Sequence, residues 1–516
     1  MFLGIDCSTQ SLSAILIDDR KIVYEKSLNY ERTFPQYKTN HGFLRTASQV
    51  HSPPLMWIEA LDRLFQDMRS EDVPLHRILA ISGSAQQHGS VYLNDSFSSR
   101  LLDHTNTLKE NLEHAFSRKT APIWMDSSTT NECEEIRQAL GGKQAALEMT
   151  GSDIFERFTG PQIRRFYKTE PEQYQKTTSI ALVSSFMASL LSGCIAPIDF
   201  GDGSGMSLMD IRKKGWHPKA IEATAPHLLK KLPPLAESSK VIGPVNPYFV
   251  KRYALNPEAL SLVWTGDNPS SLIGLGLIEE GIVGASLGTS FTYFGALKSF
   301  HVDPAGEGHL FVSPTGDYMP LNCFLNGALA IERMRKHYQI DWAEFDKAIL
   351  KAKPASGILL PYFEPEIIPK VLNPSVQRIG LDEKDVPANC RSLVEGQLLS
   401  MRLHSKWMGL KPKVIYATGG VSHDGPILQI LADVMNCTVY QSAVAKSTAL
   451  GAALRAASGY YSSKGHPRSW KETVAGFTDP IPSSRLEPDP KNVQIYNRWI
   501  EKYAACERDY LKNLSQ

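Results

Sequence analysis

The sequence lacks an excess of charge of either sign. Among its 516 residues, 55 lysine and arginine residues are balanced by 54 aspartate and glutamate residues, which gives a formal net charge of +1. Proteins that bind nucleic acid or an acidic membrane surface usually carry a basic patch or a strongly positive balance. The composition therefore predicts neither a nucleic-acid partner nor a membrane partner.

Cysteine is sparse as well. The seven cysteines are widely scattered, without any C-x-x-C pair, and the histidines show no zinc-binding spacing. An odd, scattered set favours free thiols in a reducing compartment. The opening stretch "MFLGIDCST" has no basic leader before its short apolar run, which argues against a signal peptide. We therefore expect a cytoplasmic protein.

Long uncharged hydrophobic runs are nearly absent. Residues 180–198 approach the length that crosses a bilayer, but four serines dilute this run, and Gly193 and Pro197 interrupt its end. The pattern predicts a buried helix over residues 182–191 rather than a membrane span.

What the chain does contain is a repeat. It opens with "FLGIDCSTQSLSAILID", two apolar strands around a small polar turn, and "GIVGASLGTSFTYFGAL" from Gly281 restates that pattern. Strands alternating with helices follow each copy, which is typical of α/β proteins with ligands at the carboxyl ends of strands. The chain is also too long for one hydrophobic core. The sequence predicts two similar α/β domains, residues 1–258 and 259–516, facing each other across a cleft.

The turns of the two repeats suit phosphate. "DCST", residues 6–9, and "LGTS", residues 287–290, combine small and hydroxylated residues that offer backbone N–H groups to an anion. Each turn alone is more often a plain hairpin, but the pair is a stronger signal. Because the carboxylate of Asp6 would repel a phosphate, we expect it to hold Mg²⁺, through water, so that the ion screens the phosphate charge.

An acid stands at a second corner. In "TGDNPSSLIGLG" from Thr265, a strand ends and a helix begins, with Asn268 predicted as the N-cap and Pro269 as the first helical residue. Capping does not explain Asp267. The helix dipole favours an ionised carboxylate there, so we expect a base at neutral pH that needs no further tuning.

Three further stretches carry polar, charged or flexible residues that could bind a ligand. "SGSAQQHGSVYL" puts His88 at a strand end, where it could bind a sugar hydroxyl, although a lone histidine in a turn is more often structural. "YATGGVSHDGP" has Gly419 and Gly420 after a strand, where a nucleotide base or ribose could approach, and an ordinary strand–helix loop is equally consistent. Arg157 lies among apolar residues in "SDIFERFTGPQI", which suggests a partner, whereas a solvated helix charge is the alternative.

These motifs together resemble the FGGY family of carbohydrate kinases. "QQHG", "WMDSST", "FTGPQI", "IDFGDGSGM", "TGDNPSSLIG", "SLGTS" and "ATGGVSH" follow one another in the family's order from Leu3 to about Ala457. The resemblance implies two ribonuclease-H-like domains of the actin/hexokinase ATPase type. It also implies ATP-dependent phosphorylation of a pentulose, with D-xylulose the first candidate.

Three alternatives stay open. The chain could phosphorylate another small sugar or polyol, such as ribulose, gluconate or glycerol. It could also be a catalytically silent sugar- or nucleotide-binding regulator, or an actin- or chaperone-like ATPase without a small substrate. The oligomeric state is open between a monomer and a homodimer.

The resemblance also assigns roles to particular residues. It makes Asp267 the catalytic base and Asp6 the metal-binding residue. The sugar-binding residues that it implies are His88, Arg157, Asp267 and Asn268. The ATP-binding residues that it implies are Thr289, Trp342, Gly419, Gly420 and Asp424.

The sequence departs from the family pattern at three positions. Ser8 stands where glycine is common, Ser128 where arginine is common, and Asp424 where asparagine is usual. An ionised aspartate only accepts hydrogen bonds, whereas an asparagine also donates them. Asp424 either faces solvent at the rim of the nucleotide site or binds a ribose hydroxyl. Since the loop is hydrophilic, we favour the first, with Asp424 facing solvent without a partner.

Overall fold

The structure is a computed structural model, and it describes residues 1–514. The chain forms two compact units, of which the first comprises Met1–Gly276, Leu310–Tyr318 and Lys446–Phe477, and the second Leu277–His309, Met319–Ala445 and the chain from Thr478 onward. The first unit therefore extends to Gly276, beyond the predicted boundary at residue 258. The reason is strand pairing, because residues 260–266 join the sheet of the first unit.

The sheet of the first unit is built around two parallel strands. Its strands are β1 (Phe2–Cys7), β2 (Ser11–Asp18), β3 (Lys21–Asn29), β4 (Ala80–Ala85), β5 (Val241–Pro244), β6 (Leu260–Leu262) and β7 (Thr265–Gly266). They run in the order β5-β6-β4-β1-β2-β3, and β7 also pairs with β4. The strands β1, β2 and β3 are antiparallel neighbours, whereas β4 is parallel to β1, β6 and β7.

The sheet of the second unit repeats this arrangement. Its strands β8 (Ile282–Leu287), β9 (Phe291–Gly295), β10 (Tyr318–Phe324), β11 (Val414–Thr418) and β12 (Thr438–Gln441) run in the order β10-β9-β8-β11-β12. An antiparallel hairpin, β8–β9, again lies beside a parallel pair, β8–β11. The predicted repeat of an α/β domain that begins with a hairpin is confirmed.

Helices cover the two sheets. The helices used below are α1 (Pro54–Ser70), α2 (Thr159–Thr169), α3 (Val183–Ser192), α4 (Phe200–Gly203), α5 (Asp267–Gly274), α6 (Ala328–Tyr338), α7 (Trp342–Lys351), α8 (Val386–His404), α9 (Gly425–Met435), α10 (Ser447–Ser463) and α11 (Pro490–Leu514). Further short helices are Tyr30–Thr33, Phe97–Leu101, Leu108–Leu112, Thr130–Leu140, Lys143–Thr150, Pro171–Lys176, Pro218–Thr224, Pro247–Tyr253 and Trp470–Val474. Further short strands are Leu44–Thr46, Gln49–Ser52, Ser90–Leu93, Ala121–Pro122, Ser179–Leu182, Ile198–Asp199, Met209–Asp210, Gly215–Trp216, Leu235–Ala236, His309–Val312, Ile358–Leu360 and Gln377–Ile379.

Each unit has its own hydrophobic core. In the first, apolar side chains of β1 and β2 pack with those of α1 and α3, and Trp57 is fully buried among them. In the second, β8 and β11 pack with α8, α9 and α11. The helix predicted over residues 182–191 is α3, and nine of its ten residues are buried. No helix within residues 1–514 is long and apolar enough to cross a membrane.

Helix α10 crosses α5 at very short range. A Cβ atom on Gly451 of α10 would lie 1.9 Å from the carbonyl oxygen of Ser270, and one on Gly274 of α5 would lie 1.9 Å from that of Ser447. Two backbones can approach this closely only where both helices lack a side chain at the contact. The pair of glycines therefore fixes the position of α5, the helix that begins with Asp267.

We expect Gly451→Ala to destabilise the first unit. The added methyl group has only backbone atoms to displace, and such overpacking typically costs about 1–3 kcal/mol in the free energy of unfolding. Gly243→Ala is the matched control, because a Cβ atom there would meet nothing within 4 Å. Urea unfolding of both variants tests this expectation. Equal midpoints for the two variants would contradict a close crossing.

Candidate active site

The carboxyl ends of three neighbouring strands bring the first group of predicted residues together. Asp6 of β1 and Thr265 of β7 both pair with Ser84 of β4, one on each side. Asp267 follows β7 directly, and residues 86–88 follow β4. Since parallel strands end at the same sheet edge, Asp6, His88 and Asp267 lie along one edge of the first sheet.

Asp6 is a buried carboxylate held by hydroxyl groups. It is 2% exposed. The Ser84 Oγ donates to Asp6 Oδ1 at 2.7 Å, and the Ser8 hydroxyl donates to Oδ2. Burial raises the pKa of Asp6, and the serine hydrogen bonds oppose this effect. Ser8, which departs from the family pattern, therefore acts as a hydrogen-bond donor to the acid.

Asp267 is part of a small hydrogen-bonded group. The Asn268 backbone N–H donates to Asp267 Oδ1 at 2.8 Å, and the Asn268 Nδ2 donates to the same oxygen at 3.1 Å. The Nδ2 also donates to Gln87 Oε1 at 2.8 Å. The side chains of Asn268 and Gln87 are thus oriented by each other and by the acid.

The helix begins earlier than the sequence predicted. Gly266 is the N-cap of α5, Asp267 is its first residue, and no side chain caps it. The prediction that Asn268 is the N-cap is therefore wrong, because the Asn268 amide is engaged with Asp267 and Gln87 instead. The predicted single strand before it is also split, into β6 and β7.

The electrostatics of Asp267 differ from the sequence expectation. Although part of the residue is exposed, burial of the carboxyl group, together with the negative charge of Asp6, raises its pKa to about 7. The expectation of a base that needs no further tuning is wrong, because the surroundings of Asp267 raise its pKa. The proximity of two carboxylates and their removal from water outweigh the backbone N–H groups of Gln87 and Asn268, which lower the pKa.

His88 and Arg157 lie close to each other beside this edge. The His88 Nδ1 donates to the Gly205 carbonyl oxygen at 2.9 Å, and its ring lies 4.5 Å from that of Phe158. Arg157 lies over the same Phe158 ring, 5.6 Å from its centroid. Burial and the Arg157 charge lower the pKa of His88 to about 3. His88 is therefore neutral at physiological pH, and with Nδ1 protonated its Nε2 is an acceptor.

Sequence reasoning missed a buried polar network beneath these residues. Asp199 accepts hydrogen bonds from the Thr265 hydroxyl and from the Asp202 N–H, and burial raises its pKa to about 6. Arg455 of α10, which is fully buried, donates to the carbonyl oxygens of Val263 at 3.2 Å and of Gly83. The two acids among glycines in "IDFGDGSGM" were the available signal, whereas nothing near Arg455 in the sequence marked it.

The phosphate-type turn of the second unit contacts the glycine loop. The turn joins β8 to β9, and Thr289 is exposed within it. Gly419 has a φ of 89°, and a Cβ atom there would lie 2.7 Å from the Leu287 backbone. Gly420 would meet nothing within 4 Å. Glycine is thus required at position 419, because a side chain there would collide with the turn. At Gly420 the space next to the backbone is open.

Trp342 and Asp424 lie on neighbouring helices of the second unit. Trp342 is the first residue of α7, is 39% exposed, and has the Arg335 guanidinium 4.5 Å from its ring centroid. Asp424 is the N-cap of α9 and accepts a hydrogen bond from the Ile427 N–H at 2.9 Å. Burial, together with the nearby carboxyl group of Asp346, one turn after Trp342 on α7, raises the pKa of Asp424 to about 7.

The expectation that Asp424 faces solvent without a partner is therefore wrong. Asp424 is half-buried, and its Oδ1 accepts the hydrogen bond of the Ile427 N–H at the start of α9, so the carboxyl group serves as a helix cap.

The carboxylates fit a metal ion that arrives with a nucleotide. Within residues 1–514, no group of three or more His, Cys, Asp or Glu side chains could hold a metal ion by itself. Asp6 and Asp267 lie at neighbouring strand ends, close enough for the charge of one to raise the pKa of the other. Mg²⁺ is usually bound through one or two carboxylates together with substrate phosphates and water. The seven cysteines are free thiols and offer no soft-metal cluster.

Comparison with known proteins identifies the class. The N-terminal and C-terminal domain models of the FGGY family of carbohydrate kinases match residues 1–274 and 285–460. The chain belongs to this family. The predicted family, the two-domain fold of the actin/hexokinase type and the class of enzyme, an ATP-dependent carbohydrate kinase, are confirmed.

Two relatives share the name xylulose kinase. The chain is 41% identical to xylulose kinase 2 of Arabidopsis thaliana, over 90% of this chain and 88% of the relative. It is 39% identical to xylulose kinase of Rattus norvegicus, over 99% and 97% of the two chains. The structure of xylulose kinase from Rhodospirillum rubrum has a TM-score of 0.85 over 100% of both chains, at 18% identity. That of glycerol kinase from Plasmodium falciparum with ADP has a TM-score of 0.80 over 98% and 97%, at 19% identity.

The raised pKa of Asp267 predicts a pH-dependent effect on stability. An aspartate has a pKa near 4 in an unfolded chain, and about 7 here. Between these values the folded protein binds the extra proton, so stability falls as the pH rises from 4 to 7. We expect Asp267→Asn to unfold at a higher temperature than the unmodified protein at pH 8, and at the same temperature near pH 4. Thermal unfolding at both values tests this, with Asp95→Asn, an exposed loop position, as the control.

Proposed function

We propose that this carbohydrate kinase transfers the γ-phosphoryl group of ATP to D-xylulose, giving D-xylulose 5-phosphate and ADP. The choice of sugar is supported by the xylulose kinase relatives, which match along nearly the whole chain at 34–41% identity. The chemistry is supported by one observation above all. Asp267 is a carboxyl group with a pKa of about 7, held by Asn268 at the start of a helix.

Asp267 acts as the general base. Its carboxylate accepts the proton of the sugar hydroxyl as that oxygen attacks the γ-phosphorus, and the bond to the ADP oxygen breaks. A base is most effective when its pKa lies near the working pH, and burial beside Asp6 supplies that value here. Asn268 and Gln87 fix the orientation of the carboxylate, so no reorganisation is needed when the sugar arrives.

His88, Arg157 and Asn268 bind the sugar. The neutral His88 offers an acceptor nitrogen, because its other nitrogen is used by Gly205. Arg157 offers N–H donors, and Asn268, whose side-chain N–H groups are used by Asp267 and Gln87, offers its carbonyl oxygen as an acceptor. This combination of donors and acceptors suits a polyhydroxylated ketose, since each hydroxyl both donates and accepts.

The nucleotide residues of this proposal belong to the second unit. Thr289 and the turn around it bind phosphate oxygens, and Trp342, Gly419, Gly420 and Asp424 line the place of the nucleoside.

Mg²⁺ enters this proposal as part of the substrate, Mg-ATP. Asp6 is the residue that would hold it, and the ion would screen the phosphate charges when bound. The hydroxyl groups of Ser8 and Ser84 keep the Asp6 carboxylate in place. The free cysteines further support a cytoplasmic location.

We expect Asp267→Asn to lower the rate of sugar-dependent ADP release by about two to four orders of magnitude, the usual effect of losing a general base. ADP affinity should stay unchanged. In the unmodified enzyme, kcat/KM for the sugar should rise with pH and level off above about pH 7, where the carboxylate is ionised. Coupled-assay kinetics across pH test both points. A variant that kept most of its kcat would remove Asp267 from the role of base.

The sugar residues can be tested separately. We expect His88→Ala and Arg157→Ala to raise KM for D-xylulose about ten- to hundred-fold, because each removes a hydrogen bond from a partly dehydrated site. KM for ATP should change little, since both residues belong to the first unit. A panel of pentuloses, hexoses and polyols, scored for ADP release, identifies the sugar. Preference for glycerol or gluconate over D-xylulose would contradict the proposed substrate.

A further inference from the structure

A buried glutamate of the second unit accepts hydrogen bonds only from N–H groups. Glu366 is 6% exposed. Its Oε1 accepts from the backbone N–H groups of Leu325 and Ile367, both at 2.7 Å, and its Oε2 accepts from the backbone N–H and the side-chain Nδ2 of Asn326, both at 2.9 Å. Four donors converge on one carboxylate, and three of them belong to the loop 325–327.

The same loop is held from two other directions. The Asn326 Oδ1 accepts from the backbone N–H groups of Phe363 at 3.0 Å and Glu364 at 2.9 Å. The Nε2 of Gln397, on α8, donates to the carbonyl oxygens of Asn326 at 2.7 Å and Gly327 at 2.8 Å. These hydrogen bonds therefore hold the backbone N–H groups of Leu325 and Asn326 and the carbonyl oxygens of Asn326 and Gly327.

This loop in turn holds the turn that carries Thr289. Directly after the loop, α6 begins, and its Ala328 N–H donates to the Gly288 carbonyl oxygen at 3.0 Å. The next N–H, of Leu329, donates to the Thr289 carbonyl oxygen at 3.3 Å. A Cβ atom on Gly327 would lie 2.8 Å from the backbone of the turn, so the two segments are in direct contact.

These contacts determine which backbone groups of the turn are free for an anion. Carbonyl oxygens repel phosphate, whereas N–H groups attract it. The carbonyl oxygens of Gly288 and Thr289 are taken up by the first N–H groups of α6. A turn held in this way keeps its repulsive groups directed at the helix.

We propose that Glu366 is a positioning residue for the nucleotide phosphates, acting through the loop 325–327 on the turn 287–290. The proposal rests on the proposed function, in which this turn binds ATP. A carboxylate is required at this position because it is an acceptor at both oxygens. A glutamine would present its NH₂ group to N–H donors and leave at least one pair of them without an acceptor.

The test compares two identical changes in one loop. Glu366→Gln removes the acceptor, and Glu364→Gln is the matched control, since the side chain of Glu364 is 35% exposed and contacts Arg333 at 2.6 Å. Isothermal titration calorimetry measures binding of ADP and of adenosine to each variant. We expect Glu366→Gln to weaken ADP about ten- to hundred-fold and to leave adenosine within twofold, because only ADP reaches the turn. KM for ATP should rise in parallel, and KM for the sugar should not.

Gln397→Met provides a second variant in case Glu366→Gln does not fold. The Oε1 of Gln397 is buried without a hydrogen-bond partner among the described residues, so methionine removes only the two bonds to the loop. We expect the same selective loss of ADP affinity, smaller in size.

Three results would overturn the proposal. The first is an equal loss of ADP and adenosine affinity, which indicates general damage. The second is an unchanged ADP affinity in both variants. The third is a failure of the unmodified protein to bind ADP. Failure of the proposed function gives a different result, because a protein that binds ADP but does not phosphorylate D-xylulose still shows the effect of Glu366→Gln on ADP.

Discussion

The site of the first unit depends on the parallel pairing of β4 with a strand on each side. Ser84 pairs with Asp6 on one side and with Thr265 on the other. This register places two acids, one at each flank of β4, at the same sheet edge. Shifting β1 by one residue would turn Asp6 to the opposite face of the sheet. The start of α5, and with it the Asp267 carboxylate, is thus positioned by the backbone hydrogen bonds of β7.

The same pairing explains the electrostatics. Two carboxylates at strand ends on either side of β4 repel each other, and neither has a lysine or arginine as its hydrogen-bond partner among the described contacts. The protein partly offsets this repulsion with hydrogen bonds, which hydroxyl groups donate to Asp6 and backbone N–H groups donate to Asp267. These dipoles are too weak to cancel the cost of burial, so the pKa of Asp267 remains near neutrality. A bound cation would neutralise the negative charge that these hydrogen bonds leave on the two carboxylates. This is one physical reason for a kinase to bind its nucleotide together with Mg²⁺.

Local patterns in the sequence were sufficient for the hairpins, the buried helix and the class of protein. The alternation of apolar residues around "DCST" and "LGTS" predicted both hairpins, and the acid between strand and helix marked Asp267. The sequence could not reveal contacts between distant segments. Asp346 meets Asp424 from a different helix, and Arg455 reaches Gly83 across 372 positions. Glu366 had no signal at all, because its four partners are N–H groups, of which three are backbone groups that every sequence contains.

Helix α10 has a consequence for how the chain is made. It packs on α5 and on β1, yet it belongs to the first unit only after the chain has passed through most of the second. During synthesis, β1 leaves the ribosome first, and the helix that covers it follows more than 400 residues later. The nascent first unit therefore lacks, for most of translation, the helix that packs against Phe2 and Gly4, and a chain that stops before Ser447 never acquires it. Such a chain leaves the ring of Phe2 without Tyr460 and Tyr461, its aromatic neighbours in the folded protein.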